Sequence, residues 1–374
     1  MSRIYFDNAA SSPMCEPAIN MYIEGLQYGL GNPSSIHLNG RKLRTKIEEA
    51  RKDIAKILHV EVGEIFFCSG ATEANNTIVE MVAESFNIKA FISSKLEHPS
   101  VYQSIIKHSE RLGIPVFWID NDDHGNLDYN QLENLLKSNQ NCLVSIMYAN
   151  NELGNVNDVG RIGNWCRETN NLFHCDAVQA IGKKDLNIEE LKIDFISASA
   201  HKFYGPKGTG FFYMNSQHLF NPMILGGSQE RNMRAGTENE AGIASMSEAL
   251  KYCTDNMKSF ESHYKLLNER MRNGLEDCIH DIQFNGNDEQ IGNILNVSFP
   301  DHSKADMLIN LLDIKGISAS SGSACSSGIP RDSQAIRSIN HPNNRKAIRF
   351  SFSYKNTIDE VNEVIKIIDN IYNG

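Results

Sequence analysis

The stretches LFHCDAVQ, at residues 172–179, and DFISASAHK, at residues 194–202, decide the fold of this chain. In each, an apolar run with the length of a buried strand ends on polar side chains. The first run predicts a strand at Leu172–Asp176, and the second predicts one at Asp194–Ser199. An aspartate closes the first strand, and Lys202 follows the second, about two dozen residues further along the chain. Because ligands of open α/β sheets bind beyond the carboxyl ends of the strands, we expect both side chains in one site.

The alternation of short apolar runs with amphipathic runs continues outward, from about residue 64 to residue 215. It predicts a mostly parallel sheet with helices on both faces, because the strands are almost continuously apolar. The predicted strands are Glu64–Cys68, Ala90–Ser93, Pro115–Ile119, Cys142–Tyr148, Leu172–Asp176, Asp194–Ser199 and Thr209–Met214, and the predicted helices are Thr72–Phe86, Ser100–Arg111, Tyr129–Lys137 and Val159–Glu168.

The last third of the chain has a different pattern and predicts a smaller α+β unit. Its predicted elements are a long helix at Ala241–Asp277, a strand at Ile294–Phe299, a helix at Lys304–Ile314, a strand at Ala347–Phe352 and a helix at Thr357–Tyr372. The start of the chain, with Tyr5 and Phe6 before a turn, is expected to join this unit. We therefore divide the chain into a large α/β domain at 15–256 and a small α+β domain made of 1–14 and 257–374.

Asp176 and Lys202 have the chemistry that a pyridoxal phosphate (PLP) site requires. A carboxylate keeps the pyridine nitrogen protonated so that the ring accepts electrons, and a lysine forms a Schiff base with the aldehyde. A buried carboxylate is costly without a cationic partner, and a pyridinium removes that cost. A surface position is the general alternative for a lysine, but the flanking Ser199, His201 and 205–208 disfavour it here.

Three further segments follow predicted strands and could contribute to the same site. Ser69–Glu73 opens a helix whose N–H groups suit a phosphate, as does the Thr72 hydroxyl, although taken alone a helix cap is the simpler interpretation. Asn150–Gly154 could donate to a ring oxygen or to a substrate carboxylate, or could form an ordinary turn. His98 could stack on an aromatic cofactor and pass protons, which most lone histidines do not do.

Of the eight cysteines, Cys325 has an unusual setting, within the small residues of SSGSACSSG at 320–328. The other seven are scattered, which predicts small buried side chains rather than a disulfide framework. His174 and Asp176 could share one strand face, but a third ligand is lacking nearby, so we expect no metal. A lone thiol among small residues, beside a PLP site, indicates that a group is moved onto the cysteine.

The composition is that of a globular protein, and its net charge of −10 disfavours a dedicated binder of nucleic acid or anionic membranes. The sequence contains no apolar stretch long enough to span a bilayer, and no apolar signal core follows Arg3. We therefore expect a cytoplasmic protein with no membrane partner and no direct nucleic-acid partner.

Ten motifs of this chain resemble those of the cysteine desulfurases, PLP enzymes of the class V aminotransferase group with the fold-type I architecture. Each motif alone is modest, but the ten occur in the same order along nearly the whole chain, which makes the resemblance specific. The motifs are YFDNAA (5–10), GNPSS (31–35) with His37 and Gly40, SGATE (69–73), EHP (97–99), NNELG (150–154), DAVQ (176–179), SAHK (199–202), RAGTEN (234–239), SGSAC (321–325) and IRFS (348–351).

The resemblance implies a role for each matched position. Lys202 would hold PLP and then remove the Cα proton, His98 would stack on the ring, and Cys325 would accept sulfur. Asp176 would pair with the pyridinium. The remaining implied contacts are Ala71, Thr72, Ser199 and His201 at the phosphate, Gln179 at the ring hydroxyl, Asn151 at the cofactor and the substrate, Asn32 and Arg349 at the substrate, and Thr237 at the phosphate of a neighbouring subunit. A homodimer is thereby implied.

The implied reaction removes sulfur from L-cysteine, releases L-alanine and leaves a persulfide on Cys325, which passes it to an acceptor protein. Iron–sulfur scaffolds, tRNA thiolation proteins, cofactor pathways and DNA sulfur modification all remain open as acceptors. The nearest alternative is a related PLP lyase, such as a selenocysteine lyase or a kynureninase-like hydrolase, which would not need Cys325. A catalytically silent scaffold is a second alternative, and the presence of Lys202, Asp176 and Arg349 argues against it.

Overall fold

The structure is a computed structural model that describes residues 3–218, 221–321 and 333–373. Its helices and strands are, in chain order, β1 (Ile4–Tyr5), α1 (Glu16–Tyr28), α2 (Leu38–Leu58), β2 (Ile65–Cys68), α3 (Ala71–Ser85), β3 (Ala90–Ser94), α4 (Pro99–Leu112), β4 (Val116–Ile119), α5 (Tyr129–Ser138), β5 (Cys142–Ser145), α6 (Val159–Glu168), β6 (Leu172–Asp176), α7 (Ile188–Leu191), β7 (Phe195–Ser199), β8 (Gly210–Met214), α8 (Glu240–Cys278), β9 (Gln283–Asn285), β10 (Ile294–Phe299), α9 (Leu308–Ile314), β11 (Ile317–Ser318), α10 (Gln334–Ser338), β12 (Lys346–Ser351) and α11 (Ile358–Asn373).

The central sheet contains seven of the described strands, in the order β2-β8-β7-β6-β5-β3-β4. All neighbouring pairs are parallel except at β8, which runs antiparallel to β2 and to β7. Ile65 and Phe67 of β2 face one hydrophobic core, whereas Phe66 and Cys68 face another on the opposite side. Both faces of the strands are therefore buried, which explains their continuous apolar sequences. The predicted mostly parallel α/β architecture is confirmed.

The last third of the chain forms a smaller α+β unit with two small sheets, and the amino terminus joins it. Strand β10 pairs antiparallel with both β9 and β12, and β1 pairs parallel with β11. The ring of Phe6 contacts that of Phe352 edge to face at 5.2 Å. Helix α8 packs against α1 and α2 and also against α11. The predicted division at residue 256 falls inside this helix and stays a prediction.

The main differences from the sequence prediction lie before residue 60 and after residue 145. Helices α1 and α2 were not predicted, although α2 buries a regular stripe that includes Leu43, Ile47, Ile54 and Leu58. In α1 only Ala18 and Gly25 are buried, so the larger apolar residues of this helix do not form a buried stripe from which the helix could be predicted. Strand β5 ends at Ser145, earlier than predicted, although the N–H groups of residues 146 and 148 still donate to the carbonyls of His174 and Asp176 in β6. No helix within the described ranges is long and apolar enough to cross a bilayer.

Candidate active site

A cavity of about 510 Å³ lies at the carboxyl ends of β2, β3, β5, β6 and β7. It forms because the parallel strands bring the loops that follow them to one edge of the sheet. The predicted site residues in its wall are Ala71, Thr72, His98, Asn151, Asp176, Gln179, Ser199, His201, Lys202 and Arg349. The structure therefore brings together side chains that the chain separates by up to 278 positions, from 71 to 349.

Asp176, the last residue of β6, presents a buried carboxylate to this cavity. Its Oδ2 accepts a hydrogen bond of 2.8 Å from Asn75 Nδ2, and its Oδ1 accepts one of 3.1 Å from the backbone N–H of Val178. Only 5% of the residue is exposed, and no lysine, arginine or histidine of the described ranges forms a salt bridge with it. A buried carboxylate without a cationic partner suits a protonated pyridine nitrogen.

His98 caps the amino terminus of α4 and is fixed in one tautomer. Its Nδ1 accepts from the backbone N–H of Ser100 at 3.1 Å, so the ring proton resides on Nε2. Burial lowers the pKa of His98, opposed by the charge of Asp176 and assisted by that of Lys202, so the ring is neutral at pH 7. A flat, neutral ring in the cavity wall is suited to stack on an aromatic cofactor.

Asn75 and Ser100 connect Asp176 to His98, and sequence analysis did not identify either residue. Asn75 Nδ2 lies 2.8 Å from both Asp176 Oδ2 and Ser100 Oγ, and Ser100 Oγ lies 2.7 Å from His98 Nδ1. Asn75 stands four positions after Ala71, one turn into α3, which places it on the same helical face as the start of the helix. That spacing was the only signal in the sequence that pointed to it.

Lys202 lies in a short 3-10 turn directly after β7, where its side chain contacts the amino-terminal segment. Its Nζ donates to the carbonyl oxygens of Ala9 at 2.7 Å and Ala10 at 2.9 Å. The carbonyl of Ala9 also accepts from Gln179 Nε2 at 3.0 Å. The small unit therefore contributes backbone atoms to the position of the lysine.

The loop between β2 and α3 provides a corner that suits an anion. Gly70 has φ 147°, a region that favours glycine, and a side chain at this position would approach Ser199 Oγ to 3.2 Å. The first N–H groups of α3 have no partner within the helix, and Ala71, Thr72 and His201 all line the cavity. Burial lowers the pKa of His201 to about 4, helped by the charges of Lys202 and Lys207, so the field around this ring is positive. Because His201 is neutral, it can donate a hydrogen bond to a phosphate without adding a second positive charge beside Lys202.

Arg349 enters the cavity from β12 of the small unit. Its Nη2 lies 2.7 Å from Asp7 Oδ1, and its Nη1 donates to the carbonyl of Asn151 at 2.8 Å. Its side chain is 2% exposed, and its buried Nε has no hydrogen-bond partner in the structure. A guanidinium has five N–H donors, so several remain for a carboxylate bound in the cavity.

Asn32 and Thr237 do not line this cavity. Asn32 is exposed between α1 and α2, and its Oδ1 accepts from the backbone N–H of Ser34. Thr237 is exposed and lines a smaller adjoining cavity of about 130 Å³ together with Arg234 and Glu238. Their predicted roles stay predictions, as does that of Cys325, which lies outside the described residues.

The seven described cysteines form no disulfide with one another. Six of them are buried, as predicted, whereas Cys278 is half-buried. Burial raises the pKa of Cys166 and Cys175 well above the ordinary value, so both remain protonated and unreactive. Within the described part of the chain, no three histidine, cysteine or acidic side chains lie close enough to hold a metal ion.

Comparison with known proteins agrees with this geometry. The class-V aminotransferase family model matches residues 4–364. The chain is 36% identical to cysteine desulfurase IscS of Dictyoglomus turgidum, over 98% of this chain and 94% of that protein, and 35% identical to the putative cysteine desulfurase IscS 1 of Bacillus subtilis, over 99% of each. A solved NifS-like protein superposes with a TM-score of 0.91 at 33% identity and covers 99% of both chains.

The chain therefore belongs to the class-V aminotransferases, enzymes that use PLP. Within that class it is a member of the cysteine desulfurase family, as its sequence motifs predict. The cavity fits the cofactor on structural grounds: Asp176 forms no salt bridge with a cationic side chain of the described ranges, Lys202 lies in the wall, and the start of α3, with its unpaired helical N–H groups, lines the cavity together with His201.

Proposed function

We propose that this protein removes sulfur from L-cysteine, releases L-alanine and holds the sulfur as a persulfide on Cys325. The main support is that Asp176, Lys202 and Arg349, which come from three separate elements, converge on one cavity large enough for PLP and an amino acid. The family to which the chain belongs supplies the reaction class.

Each residue has a distinct part in the proposed reaction. Bound PLP supplies an electron sink next to the amino acid. Arg349 binds the substrate carboxylate and sets the orientation of the side chain, with Asn151 beside it. Asp176 keeps the ring nitrogen protonated, and the amine of Lys202 removes the proton from the substrate Cα.

The sulfur step requires a thiolate. Cys325 Sγ attacks the substrate sulfur, so an S–S bond forms while the Cβ–S bond breaks and its electron pair passes to the carbon side. Protonation of that carbon yields alanine, and the enzyme keeps the sulfur as a persulfide.

The test is to incubate the PLP-loaded protein with L-cysteine and to measure alanine and protein-bound persulfide. Lys202→Ala is expected to abolish both products. Cys325→Ser is expected to bind cysteine, seen as a change in the visible absorption of PLP, yet to form no persulfide. Cys278→Ser, which alters a half-buried thiol on α8, is the matched control and should behave as the unmodified protein.

Two outcomes would contradict the proposal. A protein that stays colourless and does not take up PLP lacks the cofactor on which the activity depends. If Cys325→Ser leaves alanine formation unchanged, or if selenocysteine is strongly preferred, the alternative of a related PLP lyase is favoured instead.

We also propose a homodimer, which two observations support. Seven large apolar residues between positions 19 and 38 are exposed on α1, on the loop after it and at the start of α2: Ile19, Ile23, Leu26, Tyr28, Leu30, Ile36 and Leu38. Several large exposed apolar side chains within one short stretch of chain are typical of an interface. In addition, Thr237 lies outside the cavity of Lys202 in its own chain, which suits a residue that contacts the phosphate of a second copy.

The acceptor of the sulfur and a cytoplasmic location stay proposals. Among acceptors, iron–sulfur cluster assembly proteins are the first to test, with tRNA and DNA sulfur-modification proteins as comparisons. The experiment transfers label from a persulfide made with labelled cysteine. A label that moves to one candidate, and only from protein that contains Cys325, identifies the acceptor class.

A further inference from the structure

Lys183 is a buried lysine close to the cavity that sequence motifs did not single out. It lies four positions after Gln179, in the turns that follow β6, and only 7% of the residue is exposed. Its Nζ donates to the backbone carbonyl of Gln179 at 3.0 Å and to the side-chain Oε1 of the same residue at 3.3 Å. Both contacts are thus made to Gln179, which lines the cavity.

These contacts determine which end of the Gln179 amide faces the cavity. The amide oxygen can only accept hydrogen bonds, whereas the ammonium group of Lys183 can only donate them. Oε1 is therefore held at Lys183, and Nε2 points the other way, where it donates to the Ala9 carbonyl at 3.0 Å. The second N–H of Nε2 is left for a group inside the cavity.

We propose that Lys183 is a positioning residue that fixes the Gln179 amide, so that its remaining N–H donates to the ring oxygen of bound PLP. The inference rests on the proposed cofactor contact of Gln179 and extends it to a residue outside the cavity wall. Lys202 is part of the same arrangement, because its Nζ shares the Ala9 carbonyl with Gln179, at 2.7 Å.

The contacts of Lys183 survive a change in its charge. Burial lowers the pKa of Lys183 to about 7, opposed by Cys253 and assisted by the charge of Lys202. A neutral amine still has two N–H groups, which is the number that the two oxygens of Gln179 require. A neutral amine can also accept, but the Ala9 carbonyl can only accept and still requires Nε2 on its side, so the orientation of the amide is maintained on both sides of neutral pH.

The test is to titrate the visible absorption of bound PLP with pH in the loaded full-length protein. A donor at the ring oxygen favours the deprotonated form of the chromophore, in which that oxygen carries the full negative charge. Lys183→Met removes the constraint on Gln179 and should raise the pKa of the chromophore by about half a unit to one unit, the equivalent of one hydrogen bond. PLP binding should persist, because Asp176 and Lys202 are unchanged.

A double-mutant cycle separates positioning from a direct effect of charge. Gln179→Ala should raise the same pKa, and adding Lys183→Met to it should produce no further shift. A full additional shift in that background, or no shift in Lys183→Met alone, would overturn the inference. If Lys183→Met does not fold, Lys183→Gln, which keeps one donor for Oε1, is titrated instead and should show a smaller rise; no rise there also counts against the inference.

The outcomes distinguish this inference from the proposed function. If the unmodified protein fails to bind PLP or to release alanine from cysteine, the proposed function is wrong. If it does both, and the pKa of the chromophore is the same in Lys183→Met as in the unmodified protein, only the positioning role is wrong.

Discussion

At the residue scale, the cavity depends on charged groups whose partners come from distant parts of the chain. Arg349 is held by Asp7 and by the Asn151 carbonyl, so the guanidinium is oriented before any substrate arrives. Binding to an oriented donor loses less side-chain entropy than binding to a mobile one. The recognition of a substrate carboxylate therefore depends on the fixed orientation of the Arg349 guanidinium as well as on its charge.

We expect Arg349→Lys to raise the KM for cysteine about 10- to 100-fold with a small change in kcat. A lysine retains the charge opposite Asp7 but loses the bidentate geometry, and hydrogen bonds to charged groups contribute about 1.5–3 kcal/mol. Steady-state kinetics measure the effect. Arg345→Lys is the control, because Arg345 is similarly buried but binds Asp281 and Ser298 away from the cavity; an equal rise in KM there would refute the assignment.

The buried position of His174 leads to a prediction of how the free energy of unfolding depends on pH. Its Nδ1 lies 2.8 Å from Ser145 Oγ and its Nε2 3.0 Å from Ser197 Oγ, in the centre of the sheet. Burial lowers the pKa of His174 from 6.5 to about 4. The unfolded chain therefore binds more protons between these values, and the free energy of unfolding falls as pH decreases from 6.5 to 4, by about 3 kcal/mol for this group.

Urea unfolding at several pH values tests this prediction. His174→Gln cannot be protonated, so its free energy of unfolding should decline less steeply between pH 6.5 and 4 than that of the unmodified protein. Two parallel curves would show that His174 does not titrate in this range.

At the scale of elements, residues 230–232, which precede α8, adopt a strained backbone that one buried ion pair holds in place. Glu230, Arg231 and Asn232 have φ values of 44°, 56° and 67°, all in the left-handed region. The carboxylate of Glu230 accepts from Arg51 at 2.7 and 2.8 Å and from the backbone N–H of Phe67 at 2.8 Å. This anchor lies seven positions before Thr237 and connects that segment to α2 and β2.

We expect Glu230→Gln to lower the free energy of unfolding by about 3–5 kcal/mol, because it leaves the charge of Arg51 buried without its main partner. Glu48→Gln is the matched control: it removes the other carboxylate of Arg51, which is 40% exposed, and should cost about 0–1 kcal/mol. Chemical denaturation of both variants provides the comparison. Similar losses in the two would contradict the buried anchor.

At the scale of the whole molecule, the edge of the central sheet and segments from both ends of the chain meet at one cavity, and several apolar side chains near α1 remain exposed. The large unit supplies the sheet edge with Asp176 and Lys202, and the small unit supplies Arg349 and the Ala9 carbonyl. The exposed apolar residues of α1 and its neighbouring loop give the proposed second copy a surface to cover.

Leu26→Glu is expected to shift the protein from dimer to monomer and to weaken PLP binding. A charge inside an apolar interface is costly, and the monomer loses the proposed phosphate contact of the partner. Light scattering during size-exclusion chromatography measures the mass, and absorption measures retained PLP. Leu112→Glu, at an exposed leucine in the last turn of α4, is the control; a dimer that tolerates Leu26→Glu would place the interface elsewhere.

Sequence alone determined the order of the central-sheet strands along the chain, the mostly parallel sheet, the family and ten of the residues that line the cavity. It could do so because buried strands have a local apolar signature, and because short motifs around Asp176 and Lys202 have a required chemistry. Only the tertiary structure decided that Asn75 and Ser100 connect Asp176 to His98, that Asp7 holds Arg349 and that Lys183 holds Gln179. The partners in these contacts are set by how the elements pack against one another or by the path of an irregular turn. Packing and irregular turns leave no periodic pattern in the sequence, so sequence analysis could not find the contacts.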